Sequence, residues 1–424
     1  MLETQSQLTA EISTARSACS VSVDNDNDAR PVVARFGGLK RPRVMVLGMR
    51  GFPDVQGGVE KHAEKLACAL ITSGWDVEAI VRNRYVSKTQ KSWRGVRLTR
   101  IWAPHIKGVE TVIHSILGVF YAGISRPEIL HIHGIGPAFF TPLARAFGLR
   151  VVVTYHSLNY EHKKWGLLAR GIFRTGEWAG MHLANGRIAV SNDLAEKMNK
   201  AYNVSVSSIP NGLNKPAPVA SANSVKKFGL QPNRYALCVA RIDEEKRQLD
   251  LIEAYARIGM PTFKLALAGD VDHSGRYARS VSEKARQTPG VLLLGYQTGA
   301  CLAELYANAS VFVLPSANEG HPIVVLEAVS YGLPVLLSDI VAHREMDVPS
   351  AQYFSVGNID ALEKTLASCL AEPPERLSVR DRDGFLAKYD WNEIAKRTLG
   401  VYVSSLPEAK RHVIEQFRSY LIPD

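Results

Sequence analysis

From residue 43 onward the chain alternates two hydrophobic patterns. Short, nearly continuous apolar runs, beginning with Arg43-Val-Met-Val-Leu-Gly, are separated by stretches in which apolar residues recur every third or fourth position. The first pattern fits a strand buried on both faces, the second a helix with one buried stripe. Strands are expected at residues 76–81, 96–102, 128–133, 150–156, 187–191 and 205–209, with a helix at 59–72. The alternation pauses at residues 209–218, Ile-Pro-Asn-Gly-Leu-Asn-Lys-Pro-Ala-Pro, and then restarts. Further strands are expected at 236–239, 264–268, 291–294, 311–314 and 334–337. The chain thus spells an α/β protein of two doubly wound, Rossmann-like domains facing across a cleft, with ligands expected at the carboxyl ends of the strands. The expected divisions are a flexible tail at 1–40, domains at 41–215 and 216–388, and C-terminal helices at 389–424 that could pack on either domain, including by crossing back to the first. One of these helices covers 391–405.

Composition narrows the class. Hydrophobic residues make up 46% and charged residues 22% of 424, which excludes a mostly disordered chain, a collagen and a coiled coil. Cys19, Cys68, Cys238, Cys301 and Cys369 are scattered and form no CxxC pair, as expected of reduced thiols in a cytoplasmic protein. The net charge of +10 is uneven: residues 41–215 carry +13 and residues 216–424 carry −2. The first domain therefore suits an anionic partner. No basic helix or aromatic RNA-binding signature is present, so nucleic acid is not expected. Residues 111–125 form the longest apolar stretch, too short to span a bilayer, and read as a buried or surface-docking helix. The N-terminus lacks the charged and apolar regions of a secretory signal.

The densest chemistry lies at 315–335, Pro-Ser-Ala-Asn-Glu-Gly-His-Pro-Ile-Val-Val-Leu-Glu-Ala-Val-Ser-Tyr-Gly-Leu-Pro-Val. A strand leads into a loop with Glu319, Gly320 and His321. Pro322 is expected at the first helical position, which tolerates its missing N–H. The helix start, with Ile323 and Val324, offers N–H groups and a favourable dipole to a phosphate. Glu327 sits in an apolar run and is costly to bury without a partner. The vicinal hydroxyls of a ribose would be such a partner, and Glu319 could accept from the hydroxyls of a second sugar. The plainer alternative is that Glu319 only complements the helix dipole while Glu327 pairs with an arginine.

Glu319 and Glu327 resemble the E-x7-E signature of retaining glycosyltransferase family 4, of GT-B fold, and the likeness runs through residues 43–405. Val239-Ala-Arg-Ile-Asp-Glu-Glu-Lys-Arg resembles a family segment that implies Arg241 and Lys246 on the donor diphosphate. By position alone, Arg241 follows a strand end and Lys246 is expected to start a helix. Two such cations would neutralise a departing diphosphate as its charge grows. Gly48-Met-Arg-Gly-Phe-Pro-Asp-Val-Gln-Gly-Gly-Val-Glu resembles the family's first strand, glycine loop and helix. Gly57 and Gly58 would let backbone approach phosphate or acceptor, with Arg50 and Glu60 on the acceptor side. The glycine spacing is not that of a dinucleotide-binding loop, which argues against a dehydrogenase. His156 resembles the family histidine near the reacting sugar. Lys164 and Trp165 resemble an acceptor-side pair of a bacterial polysaccharide subset, which carries Asp-Gly where this chain has His156-Ser157. Ser191 and Pro210-Asn211-Gly212 match in a supporting role, and Tyr296 falls where the family holds the base.

The resemblance implies retaining transfer from a nucleoside-diphosphate sugar to a hydroxyl of a growing bacterial exopolysaccharide or lipopolysaccharide. His156, Glu319, Arg241 and Lys246 would form the catalytic set, without cofactor or metal. A glycan acceptor on a polyprenyl diphosphate and peripheral contact with the inner membrane are the accompanying expectations. Two features imitate metal sites. Asp270-Val-Asp272 copies a manganese motif of the other large transferase fold, and His131, His133 and His156 could suggest zinc. The rival readings are a nucleotide-sugar epimerase of the same fold and a non-catalytic carbohydrate- or nucleic-acid-binding protein.

Overall fold

The computed structural model describes residues 41–106, 108–157, 167–213, 215–219, 221–260, 262–270 and 275–411. The tail at 1–40, Lys164, Trp165 and Asp272 lie outside the described residues. The first sheet contains β1 (Arg43–Leu47), β2 (Asp76–Arg82), β3 (Ser92–Trp93), β4 (Val96–Ile101), β5 (Ile129–His133), β6 (Val151–Tyr155), β7 (Gly186–Ala189) and β8 (Ser207–Ser208). Their order is β3-β4-β2-β1-β5-β6-β7-β8, parallel except for the β3–β4 pair. The second sheet contains β9 (Tyr235–Val239), β10 (Lys264–Ala268), β11 (Val291–Gly295), β12 (Val311–Leu314), β13 (Val335–Ser338) and β14 (Gln352–Phe354). It is wholly parallel, in the order β11-β10-β9-β12-β13-β14. The edge strands β3 and β14 are absent from the sequence expectation because two or three residues carry no readable alternation.

The helices α1 (Gly58–Thr72), α2 (Val109–Ser125), α3 (Ile135–Ala138), α4 (Thr141–Ala146), α5 (Leu167–Leu183) and α6 (Asn192–Tyr202) belong to the first assembly. The second adds α7 (Asn223–Lys227), α8 (Gln248–Ile258), α9 (Arg276–Gln287), α10 (Gly299–Asn308), α11 (Ile323–Ser330), α12 (Val341–Glu345), α13 (Ile359–Ala371) and α14 (Val379–Leu386). Both faces of each sheet are covered, so alternate residues of one strand enter different cores. Val44 and Val46 join one cluster, Met45 and Leu47 the other. Tyr235 and Leu237 are likewise separated from Ala236 and Cys238. That two-sided burial is why the strands read as continuous apolar runs.

The last helix, α15 (Trp391–Ser404), returns to the first domain: Trp391, Ile394, Ala395, Leu399 and Tyr402 share the core that α1 buries. The Tyr402 hydroxyl lies 2.7 Å from His131 Nδ1, tying α15 to β5. Leu213 on the outgoing crossing pairs with Asp390 on the returning one. Strand order reverses between β1 and β5 and again between β9 and β12. Such switch points open a crevice beyond the strand ends, and both crevices receive the loops that carry the sequence motifs. Among the described residues, no helix is long and apolar enough to cross a membrane.

Candidate active site

The loops after β1, β6, β9 and β12 enclose a cleft of about 440 Å³ between the two sheets. Gly57, Gly58, Lys61 and His156 line it from the first domain; Arg241, Lys246, Tyr296 and Glu319 line it from the second. Gly320, His321, Pro322, Ile323 and Val324 complete the second wall. An open hollow of about 880 Å³ between α9 and the ends of β10 and β11 is larger; it takes in Asp270 but none of the cleft residues just named.

The wall built by β12 and α11 depends on small residues and fixed loops. Pro322 is the N-cap of α11, not its first helical residue as expected; the helix begins at Ile323. No side chain caps it, so its N-terminal turn faces the cleft with its dipole uncovered. Gly320 is required because a Cβ there would fall 1.8 Å from the His156 carbonyl oxygen, across the cleft. Asn211, from the Pro-Asn-Gly turn, closes the same seam: its Nδ2 donates to the His321 carbonyl (2.6 Å), and its Oδ1 accepts from His62 Nδ1 (2.7 Å).

Glu319 is largely enclosed, its side chain 12% exposed, and accepts on Oε1 from Lys246 Nζ (2.6 Å) and Ser316 Oγ (2.7 Å). Burial by itself would raise its pKa, but Lys246 and His343, with the Ser316 bond, hold it below the usual carboxylate value. The expected helix start at Lys246 is wrong by two residues. Lys246 ends a single 3-10 turn, Arg247 adopts a left-handed conformation, and α8 begins at Gln248. This break points Lys246 into the cleft and places Gln248 beneath it. The Gln248 amide donates to the Arg241 carbonyl at 2.8 Å, and Ala317 N–H donates to the Glu245 carbonyl at 2.7 Å. The cation loop and the Glu319 loop are therefore braced as one unit.

Glu327 lies one turn inside α11, behind the cleft lining, and its partner is not an arginine. Its Oε1 is bonded to Lys61 Nζ of α1, and its Oε2 accepts from the Tyr306 hydroxyl at 3.0 Å. Burial would lower the Lys61 pKa, but Glu327 outweighs it and the ammonium is raised above the ordinary lysine value. Lys61 carries no motif signal of its own and was missed by sequence reasoning. Arg50 and Glu60 do not line the cleft. Arg50 Nε donates to Glu60 Oε1 at 2.9 Å, and the pair braces the Gly57 turn from behind. Gly57 has φ +150° and a Cβ there would meet Glu60 Oε2 at 2.0 Å, so the turn admits only glycine. Ser191 caps α6 through the Leu194 N–H, a structural position.

His156 closes the first-domain side. Its Nε2 lies 3.0 Å from His133 Nδ1, and the His62 ring stands edge-on to it at 4.9 Å. Burial holds all three imidazoles neutral: His62 falls to about 4, and His133 and His156 are lowered well below their ordinary value. Ligand atoms of His62, His133 and His156 lie within 4.8 Å of one another. The zinc-like set of His131, His133 and His156 is not brought together, because His131 is held by Thr154 and Tyr402. Three histidines with a water as fourth ligand can hold zinc. As the rings stand, His62 Nδ1 is engaged with Asn211 and His133 Nδ1 with His156 Nε2, so the two facing histidines satisfy each other. The neutral imidazoles offer hydrogen-bond donors and acceptors to a hydroxyl.

Residues 56–215 match the family model described as Glycosyltransferase Family 4, and residues 222–382 match that of Glycosyl transferases group 1. The chain belongs to the family-4-like glycosyltransferases of GT-B fold. It is 26% identical over 190 residues to the O-antigen chain mannosyltransferase B of Escherichia coli, a match spanning 44% of this chain and half of that relative. Sucrose-phosphate synthase from Thermosynechococcus elongatus superposes with a TM-score of 0.73 at 22% identity, covering 86% of this chain and 98% of that one. Anabaena HepE, solved with UDP and glucose, gives 0.71 at 15% identity, covering 85% and 99%. The transferase thus places its cations, its dipolar helix tip and its neutral histidines around one cleft, in a fold built for sugar transfer.

Proposed function

We propose that this glycosyltransferase moves a sugar from a nucleoside-diphosphate sugar to a hydroxyl of a growing bacterial surface glycan, carried on a polyprenyl diphosphate. The observation that carries the reading is the convergence of Arg241, Lys246 and the open N-terminus of α11 on one cleft wall. Two cations and a helix dipole stabilise an anion whose charge grows as the glycosidic bond breaks, which is what a leaving diphosphate requires. Glu319, already bonded to Lys246 and Ser316, orients sugar hydroxyls. Glu327, from the same helix, accepts from the ribose. Tyr296 lies beside the base. His156 is neutral and donates or accepts hydrogen bonds at the reacting sugar.

Transfer proceeds with retention of the anomeric configuration. Glu319, tied to Lys246 and Ser316, positions the sugar, and no protein nucleophile is assigned. The departing phosphate takes the acceptor proton as the new bond forms, and no resident metal or cofactor is used. Thermal-shift titration with UDP-, GDP- and ADP-sugars tests the donor class, because a ligand of the native state raises the melting temperature. One base should shift it and be hydrolysed or transferred, with Arg241→Ala lowering turnover by orders of magnitude. Turnover that is full in Arg241→Ala, or abolished by EDTA, would refute the mechanism.

A further inference from the structure

Helix α2 is inverted relative to an ordinary surface helix. Its inward side is small or polar: His114, Ser115, Gly118, Val119 and Ala122 are the buried residues, and Gly118 lies against Leu47 of β1. Its outward side presents Val109, Val112, Leu117, Phe120 and Ile124 to solvent, and Ile124 is 84% exposed. These positions recur every three to five residues and form one apolar stripe along a helix of 17 residues, about 25 Å long. Trp102 and Ile106, which lead into the helix, extend the stripe and are also more than half exposed. A contiguous exposed apolar strip of this length marks an interaction surface.

Charge identifies the partner. Between Glu78 and Glu110 the chain holds Arg82, Arg84, Lys88, Lys91, Arg94, Arg97, Arg100 and Lys107, and no acidic residue. Arg84, Lys88, Lys91, Arg94 and Arg97 are exposed, on the β2–β4 connection and the β3–β4 edge. Helix α2 packs on β4, so the apolar stripe borders this cationic edge. Apart from the Trp102 indole at its leading end, the exposed residues of the stripe carry no side-chain hydrogen-bonding group. A protein interface of that size would need several, whereas hydrocarbon needs none. A tryptophan at one end and cations alongside suit the boundary between acyl chains and headgroups.

We infer that the α2 stripe and the β3–β4 edge form a docking surface for an anionic lipid bilayer, with the helix lying in the plane of the interface. This surface stands apart from the sugar-transfer reading, since docking and transfer can each occur without the other. The test is flotation of the full chain with vesicles of pure phosphatidylcholine or of phosphatidylcholine with about 30% phosphatidylglycerol, at low and high salt.

Wild type should partition at least tenfold more onto the anionic vesicles, with the preference lost at high salt. Lys88→Gln/Lys91→Gln/Arg94→Gln should weaken binding roughly 100-fold, since each cation near an anionic surface contributes about a factor of five. Ile106→Ser/Ile124→Ser keeps the charge and should still lower partitioning more than about tenfold. Ile124→Ser alone, in the last helical turn, is the fallback if the pair unfolds. Transfer to a soluble acceptor should remain at the wild-type rate in all these variants, which separates failed docking from failed catalysis. Equal partitioning onto both vesicle types, or wild-type binding by the isoleucine variants, would overturn the inference. So would a dimer in light scattering that Ile106→Ser/Ile124→Ser dissolves, because the stripe would then belong to a second copy of the chain.

Discussion

Replacing Lys246 by methionine removes one charge while keeping most of the aliphatic stem. It leaves the enclosed Glu319 carboxylate with Ser316 but without its ammonium. Burial then pushes the carboxyl pKa upward, so the group escapes an unpaired charge by taking a proton. Protonating a carboxyl of ordinary pKa 4.5 at pH 7 caps the penalty at about 3 kcal/mol. The sign with pH follows. In the wild type the folded pKa lies below 4.5, so this group adds stability above that pH and loses it on acidification. In Lys246→Met the folded pKa lies above 4.5, and stability falls as pH rises through that range. The gap between the two proteins should thus be smallest below pH 4.5 and widen toward pH 7. Urea denaturation followed by tryptophan fluorescence at several pH values measures it, and titrations common to both proteins cancel. A gap independent of pH would refute the charge argument. In Lys246→Met/Glu319→Gln, the amide keeps the Ser316 bond and should recover most of the lost stability. Transfer should stay depressed by about 10²–10³-fold, because the donor-side cation is still missing. A double variant as unstable as the single one would also refute the account.

Other perturbations reach different parts of the cleft. Gly320→Ala puts a Cβ 1.8 Å from the His156 carbonyl, so the walls must part by more than about 1 Å. A misplacement of that size costs about 100-fold in kcat/KM, and a loss below threefold would show that the seam yields freely. Glu327→Gln removes a charged acceptor and should raise the donor KM by about 10- to 100-fold. A donor whose ribose is 2′,3′-dideoxy should lose the difference between wild type and variant; an undiminished difference would exclude ribose as the partner. Acid should destabilise the protein from pH 6.5 downward, because His62 and His114 titrate at about 4 and His131 and His321 at about 3 in the fold. Buried neutral histidines take up protons on unfolding, so the melting temperature should fall between pH 7 and pH 5. His62→Phe should flatten that slope, and an unchanged slope would place the acid sensitivity elsewhere.

The sheets were legible because both faces of each strand are buried, which writes Val44–Leu47 or Val311–Leu314 as uninterrupted apolar text. The loop residues were legible because strand ends, glycines and prolines punctuate the chain at the switch points. Two local errors share a cause: Pro322 and Lys246 sit where helix geometry is decided by a cap or a left-handed residue, which spacing does not reveal. The partners across the cleft were not legible at all. Lys61 and Glu327 are separated by 266 positions, and Asn211 meets His321 across 110. Glu345 of α12 accepts from Asp193 N–H at the start of α6 (3.0 Å), a helix cap supplied by the other domain. No periodicity encodes such pairs, because each half only has to present a charge or a free N–H at the right strand end.

Those pairs bear on how the cleft would receive a donor. Lys246 is already neutralised by Glu319, and Lys61 by Glu327. A lysine ammonium has three N–H donors, and Glu319 Oε1 occupies one of those on Lys246. The other two remain for phosphate oxygens, so Lys246 can bridge the carboxylate to the incoming diphosphate without releasing either. Placed between them, the ammonium also offsets the repulsion between Glu319 and the donor. This arrangement favours the ligand with more anionic oxygens, because a monophosphate leaves Arg241 or the α11 terminus without its share. A nucleoside monophosphate should therefore compete at least tenfold more weakly than the diphosphate of the same base, and Lys246→Met should shrink that ratio. Equal inhibition by the two in the wild type would mean that the cations serve the protein's own carboxylates and not a diphosphate.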